Sequence, residues 1–153
     1  YSFSKWQNSE LVKFYCELCD ISYAITYFYN VYGGRENPDG EYATVVAKFL
    51  NRYRMNKKLH VTKPGTQTRN FTYIEDIINA LKIIAEKGTG DEYGIANPNT
   101  YSIEEVAKLI SNDIEYVKEN PANRMSSQVI TKKTYDLGWK PRQELSDYIK
   151  NNL

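Results

Sequence analysis

The sequence is short of histidine and cysteine and nearly without net charge, and each scarcity closes off a class of function. One His and 2 Cys in 153 residues are too few soft ligands for a zinc site built on four of them. Cys16 and Cys19 stand three apart in a segment of helical periodicity, so they read as packing residues rather than a disulfide framework. A reduced, cytoplasmic setting is the matching expectation. Lys+Arg 20 against Asp+Glu 19 gives a formal net charge of +1, which argues against a dedicated nucleic-acid or polybasic membrane surface. No apolar run of about 18 residues occurs, so no membrane-spanning helix is expected. Neither an initiator Met nor a basic-then-apolar leader precedes Tyr1, and the expectation is an N-terminus lost to processing or truncation.

What is present is globular composition, 41% hydrophobic and 25% charged, in a length that suits one domain or a piece of something larger. Tyrosine is in surplus, 14 against 5 Phe and 2 Trp, which by itself identifies nothing. From Ser4 to Cys19, Leu11, Phe14, Tyr15 and Leu18 recur at helical spacing. Asp20 closes that helix. Ser22–Tyr29 is β-branched, aromatic and uncharged, the pattern of a buried strand. After a Gly/Pro-rich loop, Tyr42, Val45, Val46, Phe49, Leu50 and Tyr53 mark a second helix. Leu59–Thr62 and Arg69–Tyr73 read as extended, and Ile74, Ile77, Ile78, Leu81 and Ile84 form a third helical stripe. A strand over Tyr93–Ala96 and a capping box, Ser102 with Glu105, lead into a fourth helix. Ile114–Val117 reads as a strand, followed by short helices near Thr131–Leu137 and Gln143–Asn151. Helix alternating with strand predicts an α/β fold with parallel pairing.

Tyr1 and Lys5, four apart on one helix face, form a physically sensible acid/base unit. A free phenol ionises near pH 10, about three units too high for a base at neutral pH, and an adjacent ammonium favours the phenolate. Alone, the spacing is equally that of an ordinary helix surface. Asp76 reads as a helix N-cap, Trp139 as a packing anchor for the last helix, and His60 as a surface strand residue without a second metal ligand nearby. The run Arg52, Arg54, Lys57, Lys58 around Tyr53 invites an RNA-binding reading, but it lies on the polar side of an amphipathic helix. Asn70-Phe-Thr72 matches a glycosylation acceptor, with nothing to indicate secretion.

Five segments occur in order: Tyr1-Ser-Phe-Ser-Lys5, Tyr27-Phe-Tyr-Asn-Val-Tyr-Gly-Gly-Arg35, Arg69-Asn-Phe-Thr-Tyr-Ile-Glu-Asp76, Tyr93-Gly-Ile-Ala-Asn97 and Leu137-Gly-Trp-Lys-Pro141. Together they resemble the extended short-chain dehydrogenase/reductase family of NAD-dependent nucleotide-sugar epimerases and dehydratases, most of all the UDP-glucose 4-epimerase group. The resemblance covers all 153 residues but only the family's second half. Its Gly-rich dinucleotide turn, its acidic ribose-binding residue and its upstream catalytic Ser/Thr have no counterpart. Gly88-Thr-Gly90-Asp-Glu-Tyr-Gly94 follows a helix and precedes a strand, the wrong order for a pyrophosphate cradle, and reads as a helix C-cap and loop.

The resemblance implies the C-terminal half of a Rossmann-like fold with a small α/β substrate-binding lobe. The end of the NAD-binding domain would occupy about residues 1–30 and 74–97, and the nucleotide-sugar lobe about 31–73 and 98–153. It implies Tyr1 as acid/base on the sugar hydroxyl, with Lys5 favouring its ionised form and bonding the nicotinamide ribose. Tyr29 would lie beside the nicotinamide. Asn30 would bond the substrate, Leu59 and Val61 would meet the base through backbone groups, and Arg69 with Arg124 would clamp the diphosphate. The implied activity is 4-epimerisation of a UDP-sugar with NAD through a 4-keto intermediate. The rivals are a 4,6-dehydratase or ketoreductase of the same family and a non-catalytic binding module. A homodimer through the helix that starts at Tyr1 is implied for the longer parent, with no nucleic-acid or membrane partner. These 153 residues alone are expected to be inactive, to bind NAD poorly and to expose the apolar faces of the first helix and of Tyr23–Phe28. Tyr27, Gly34 and Asn70 stand where the family usually has Arg, Pro and Asp, and Pro121-Ala-Asn replaces its Pro-Gly-acid pattern.

Overall fold

The computed structural model describes residues 1–40, 42–118, 124–126 and 128–153. Its elements, in chain order, are α1 (Ser2–Leu18), β1 (Ala24–Phe28), β2 (Val31–Tyr32), α2 (Val45–Arg54), β3 (Leu59–Thr62), β4 (Thr68–Asn70) and β5 (Thr72–Tyr73). They continue with α3 (Ile74–Lys87), β6 (Gly90–Ile95), β7 (Thr100–Ser102), α4 (Ile103–Ile110), β8 (Ile114–Val117), α5 (Lys132–Asp136) and α6 (Leu145–Lys150). β1 pairs with β6, β2 with β5 and β3 with β8, all parallel, while β4 and β7 are antiparallel. The expected α/β class is what the chain adopts. β2 and β7, two and three residues long, are too short for periodicity to announce. Tyr42 precedes α2 rather than joining its stripe, and is 94% exposed.

Two apolar clusters form. The larger packs α2, α4 and α6 on β3: Val46, Phe49, Leu50, Leu59, Val61, Val106, Ile110 and Ile149 are buried there. Thr44 caps α2 by accepting from the Ala47 N–H. At the start of α4 both halves of the capping box are made, Glu105 N to Ser102 Oγ and Ser102 N to Glu105 Oε2. In the smaller cluster, Ile77, Ala80 and Ile84 of α3 meet Tyr93, Ile95 and the Trp139 ring.

Asp76 is not the N-cap of α3. That position is Tyr73, which makes no side-chain cap. Asp76 sits three residues further on and is buried. Its Oδ2 accepts the backbone N–H groups of Arg142 and Gln143 at 3.0 and 3.1 Å, and its carbonyl accepts the Trp139 indole N–H at 3.0 Å. One residue thereby fastens the C-terminal segment to α3. Trp139 is an anchor, but it packs on α3, β6 and Tyr135 rather than on the last helix, which belongs to the larger cluster.

Helix α1 contrasts with all of this, because none of its residues is buried. Phe3, Trp6, Leu11, Phe14, Tyr15 and Leu18 are each more than half exposed. Among the described residues β1 has one neighbour, β6, and Phe28 is open to solvent. No helix of the described residues is long and apolar enough to cross a membrane.

Candidate functional site

Tyr1 is the N-cap of α1 and is 93% exposed. Lys5 lies one turn on, its Nζ 5.9 Å from the centre of the Tyr1 ring. The two groups share a face, as their spacing requires, and both stand free to meet a ligand.

At the carboxyl end of β1 the chain turns through Asn30, whose φ of 40° is a left-handed conformation that asparagine tolerates better than most residues. The Asn30 amide donates to the Asn70 carbonyl at 2.9 Å, joining this turn to the end of β4. Tyr29 is half-buried, and its hydroxyl accepts the Ile130 N–H at 3.2 Å. Behind it the chain passes so close that a Cβ on Gly94 would stand 1.8 Å from the Ile130 carbonyl oxygen.

Asn30 and Arg69 line one cleft of about 290 Å³, together with Thr44, Val45 and Val46 at the start of α2 and with Gln67. The first N–H groups of a helix have no intrahelical acceptor and carry partial positive charge. With Arg69, whose guanidinium also donates to the Thr68 carbonyl at 2.7 Å, lining the same cleft, this hollow offers donors to an anion. A second cleft of about 600 Å³ adjoins it, shares Val45, Thr62 and Ile103, and carries Lys48, Arg52, Lys57 and His60 on its wall. Arg52 is held by the Lys58 carbonyl and by His60 Nε2, and Arg54 by the Asn152 carbonyl. Arg52 and Arg54 of the basic run thus make internal contacts, and Arg52 and Lys57 form part of the cleft wall.

Leu59 and Val61 are placed differently from the expectation. Both side chains are fully buried in the larger cluster. Leu59 N–H donates to the Asp113 carbonyl and Lys63 N–H to that of Val117, so the backbone groups of residues 59, 61 and 63 point at β8. Their neighbours His60 and Thr62 turn to the other edge and line the clefts. The strand was read correctly, and the pair facing the clefts is one residue out of step.

Arg124 is exposed and lies next to Met125, whose carbonyl accepts the Thr68 N–H at 2.8 Å. The backbone of Arg124 is thereby brought beside the strand that carries Arg69. Pro121-Ala-Asn lies outside the described residues. Asn70, where the resemblance expects Asp, is buried and donates through Nδ2 to the Asn97 and Pro98 carbonyls at 2.9 and 3.3 Å. An Asp has no proton to give there. The same burial removes the glycosylation reading. Tyr27 spends its hydroxyl on Asp91 at 2.9 Å. Sequence reasoning missed Gln67, Thr62 and the start of α2. The Thr44 cap was available as a signal, and for Gln67 there was none.

A family model described as the NAD dependent epimerase/dehydratase family matches residues 1–97. The chain belongs to that family. It is 31% identical, over 98% of its length and 50% of the other's, to a Methanocaldococcus jannaschii protein named "Putative UDP-glucose 4-epimerase". It is 29% identical to human dTDP-D-glucose 4,6-dehydratase, over its whole length and 47% of that protein. The solved structure of UDP-glucose 4-epimerase with UDP-glucose from Thermotoga maritima superimposes with a TM-score of 0.91 at 25% identity, over 98% of this chain and 50% of that one. The chain thus spans about half the length of the relatives it matches, and its fold is that of their C-terminal half.

NAD is the cofactor of the epimerase/dehydratase family. The side-by-side, exposed Tyr1 and Lys5 fit the nicotinamide-ribose end of such a molecule. The Gly88–Gly94 stretch is a helix C-cap running into β6 and offers no strand–turn–helix cradle for the pyrophosphate.

Proposed function

We propose that this chain is the substrate-binding and acid/base half of a nucleotide-sugar 4-epimerase. Residues 1–30 and 74–97 would belong to the NAD-binding domain and residues 31–73 and 98–153 to the sugar-nucleotide lobe. The observation that carries the reading is the donor-lined cleft in which Asn30, Arg69 and the start of α2 converge. In this reading Arg69 and the α2 N–H groups hold the diphosphate, and Arg124 approaches from the adjoining segment. The nucleoside runs past Thr62 into the larger cleft. Lys5 holds Tyr1 over the sugar, and Tyr1 Oη takes the proton of the C4 hydroxyl. Lys5 and Tyr29 would hold NAD, which would supply a reversible hydride acceptor for the same carbon. Because the diphosphate grip is remote from the reacting ring, the 4-keto sugar can present its opposite face without leaving, and Tyr1 Oη then returns the proton. The exposed apolar face of α1 and the open edge of β1 support the reading that a second half covers them. Similarity to the human dehydratase over the full length of this chain favours 4,6-dehydration as the second reading, since the grip on the nucleotide serves either reaction.

Titrating the chain with UDP-glucose by calorimetry tests the binding half of the reading. Binding is expected, and Arg69→Ala is expected to weaken it about 10-fold or more, the loss of one charge-assisted bidentate contact. No binding by the wild-type chain would overturn it. In the longer protein, Tyr1→Phe is expected to abolish turnover while leaving UDP-glucose affinity intact.

A further inference from the structure

We propose that Gln67 is a recognition residue for the nucleoside, accepting a hydrogen bond from a donor that the nucleoside carries. Gln67 is 2% exposed and forms part of the wall of the cleft that holds Asn30 and Arg69. Its orientation is fixed: Nε2 donates to the Thr62 carbonyl at 3.0 Å. That leaves Oε1 as the acceptor, and Oε1 has no hydrogen-bond partner among the described residues. Buried side-chain oxygens are nearly always paired, and one without a partner among the described residues calls for a donor from outside them. The rest of the cleft supplies the opposite chemistry, with the Arg69 guanidinium and the N–H groups at the start of α2 all donors. An anion satisfies those groups and can do nothing for Gln67. A ligand that joins an anion to a hydroxyl or an imide N–H satisfies both.

Position favours the nucleoside over the sugar as the source of that donor. Gln67 is bonded to Thr62, and Thr62 is shared by the two clefts. It therefore stands in the smaller cleft, one hydrogen bond from the residue at which the two clefts meet. The available donors at that point are a ribose hydroxyl or the N3–H of a pyrimidine. Either makes Gln67 a selector: an amide oxygen rejects an analogue that has lost the donor, because the oxygen is then left unpaired.

This inference rests on reading the cleft as a nucleotide site, and the experiment separates the two. The chain is titrated with UDP, 2′-deoxy-UDP, 3′-deoxy-UDP and N3-methyl-UDP, as wild type, Gln67→Leu and Arg69→Ala. In the wild type one analogue is expected to bind about 3- to 10-fold more weakly than UDP, and which one it is identifies the donor. In Gln67→Leu that analogue and UDP are expected to bind equally, while Arg69→Ala lowers both and keeps their ratio. A merely structural Gln67 would weaken every ligand alike and leave the ratio at its wild-type value, which overturns the inference. So does a wild type that binds UDP and discriminates among none of the analogues. If the wild-type chain binds none of the four, the nucleotide site itself is overturned, and the inference with it.

Discussion

Two helices of this chain carry apolar side chains and meet opposite fates, the stripe being much the sharper on α4. α4 is eight residues long and buries Val106, Ala107 and Ile110, whereas α1 is seventeen residues long and buries none. Amphipathic spacing states what a helix could cover, and only the neighbours decide whether it does. Around the clefts the neighbours are within the chain, so β3, α2, α4 and α6 close on one another. The end that carries Tyr1, with α1 and β1, is tied by polar contacts: Lys13 to Asp91 at 2.6 Å and Tyr27 to Asp91 at 2.9 Å. In the proposed reading, the grip on a ligand's remote part would thus be built inside this chain, and the surface facing the reacting atoms would be left open.

The sharpest test of that contrast is the smaller core. Trp139 is 1% exposed, and Trp139→Ala is expected to cost about 3–5 kcal/mol in urea unfolding, by analogy with other buried aromatic truncations. Next comes Asp76→Ala, which strands the N–H groups of Arg142 and Gln143 and is expected to cost about 2–3 kcal/mol. If either substitution were nearly neutral, the C-terminal segment would be as loosely held as α1, and the comparison would fail.

Much of this was legible in the residues, for reasons that differ by region. The capping box at Ser102 and Glu105 is a local device, so its two hydrogen bonds were readable from spacing alone. The alternation in Leu59-His60-Val61-Thr62 announced a strand, but which backbone edge stays open depends on β8, more than fifty residues away. Asp76 looked like a cap because its type and its place before an apolar stripe fit one. Its actual partners, Arg142 and Gln143, come from the far end of the chain, where sequence gives no hint of proximity. Gln67 was invisible for a stronger reason: its significance is an unpaired oxygen, and a missing bond exists only in three dimensions. The five-segment pattern fared better, because motif order is a property of sequence.

Acid should loosen α1 before the core. Partial burial pushes the Asp91 carboxyl up, but the Lys13 ammonium, the Glu92 N–H and the Tyr27 hydroxyl outweigh it and hold the value below its ordinary 3.8. A carboxyl depressed in the folded chain contributes stability above its unfolded value, and that contribution is lost as pH falls through the folded value. Lys13 is shifted the other way, upward, by its hydrogen bonds to Asp91 and then Glu10, so loss of its own proton weakens the pair only in strong alkali, while in acid the pair is lost with the Asp91 carboxylate. The α1 amide resonances are therefore expected to hold steady between about pH 5 and 8 and to move below about pH 4. Lys13→Ala should remove that acid transition. An identical transition in the variant would show that Asp91 does not tether the helix through Lys13.

The smallest effect is the most diagnostic. Trp6 has the same side chain as Trp139 but is 58% exposed, and its aromatic contact is Phe3 at 5.9 Å on the same helix. Trp6→Ala is expected to change the stability of the chain by less than about 0.5 kcal/mol, the ordinary range for a surface site. The side chain is the same in the two cases, so the ratio of the two losses measures burial together with the Trp139 indole bond to Asp76. A Trp6→Ala cost above about 2 kcal/mol would mean that something covers α1 in solution. Repeating the unfolding at tenfold lower protein concentration then decides what: a cost that falls on dilution assigns the cover to a second copy, because an interface between copies weakens by mass action and an internal contact does not.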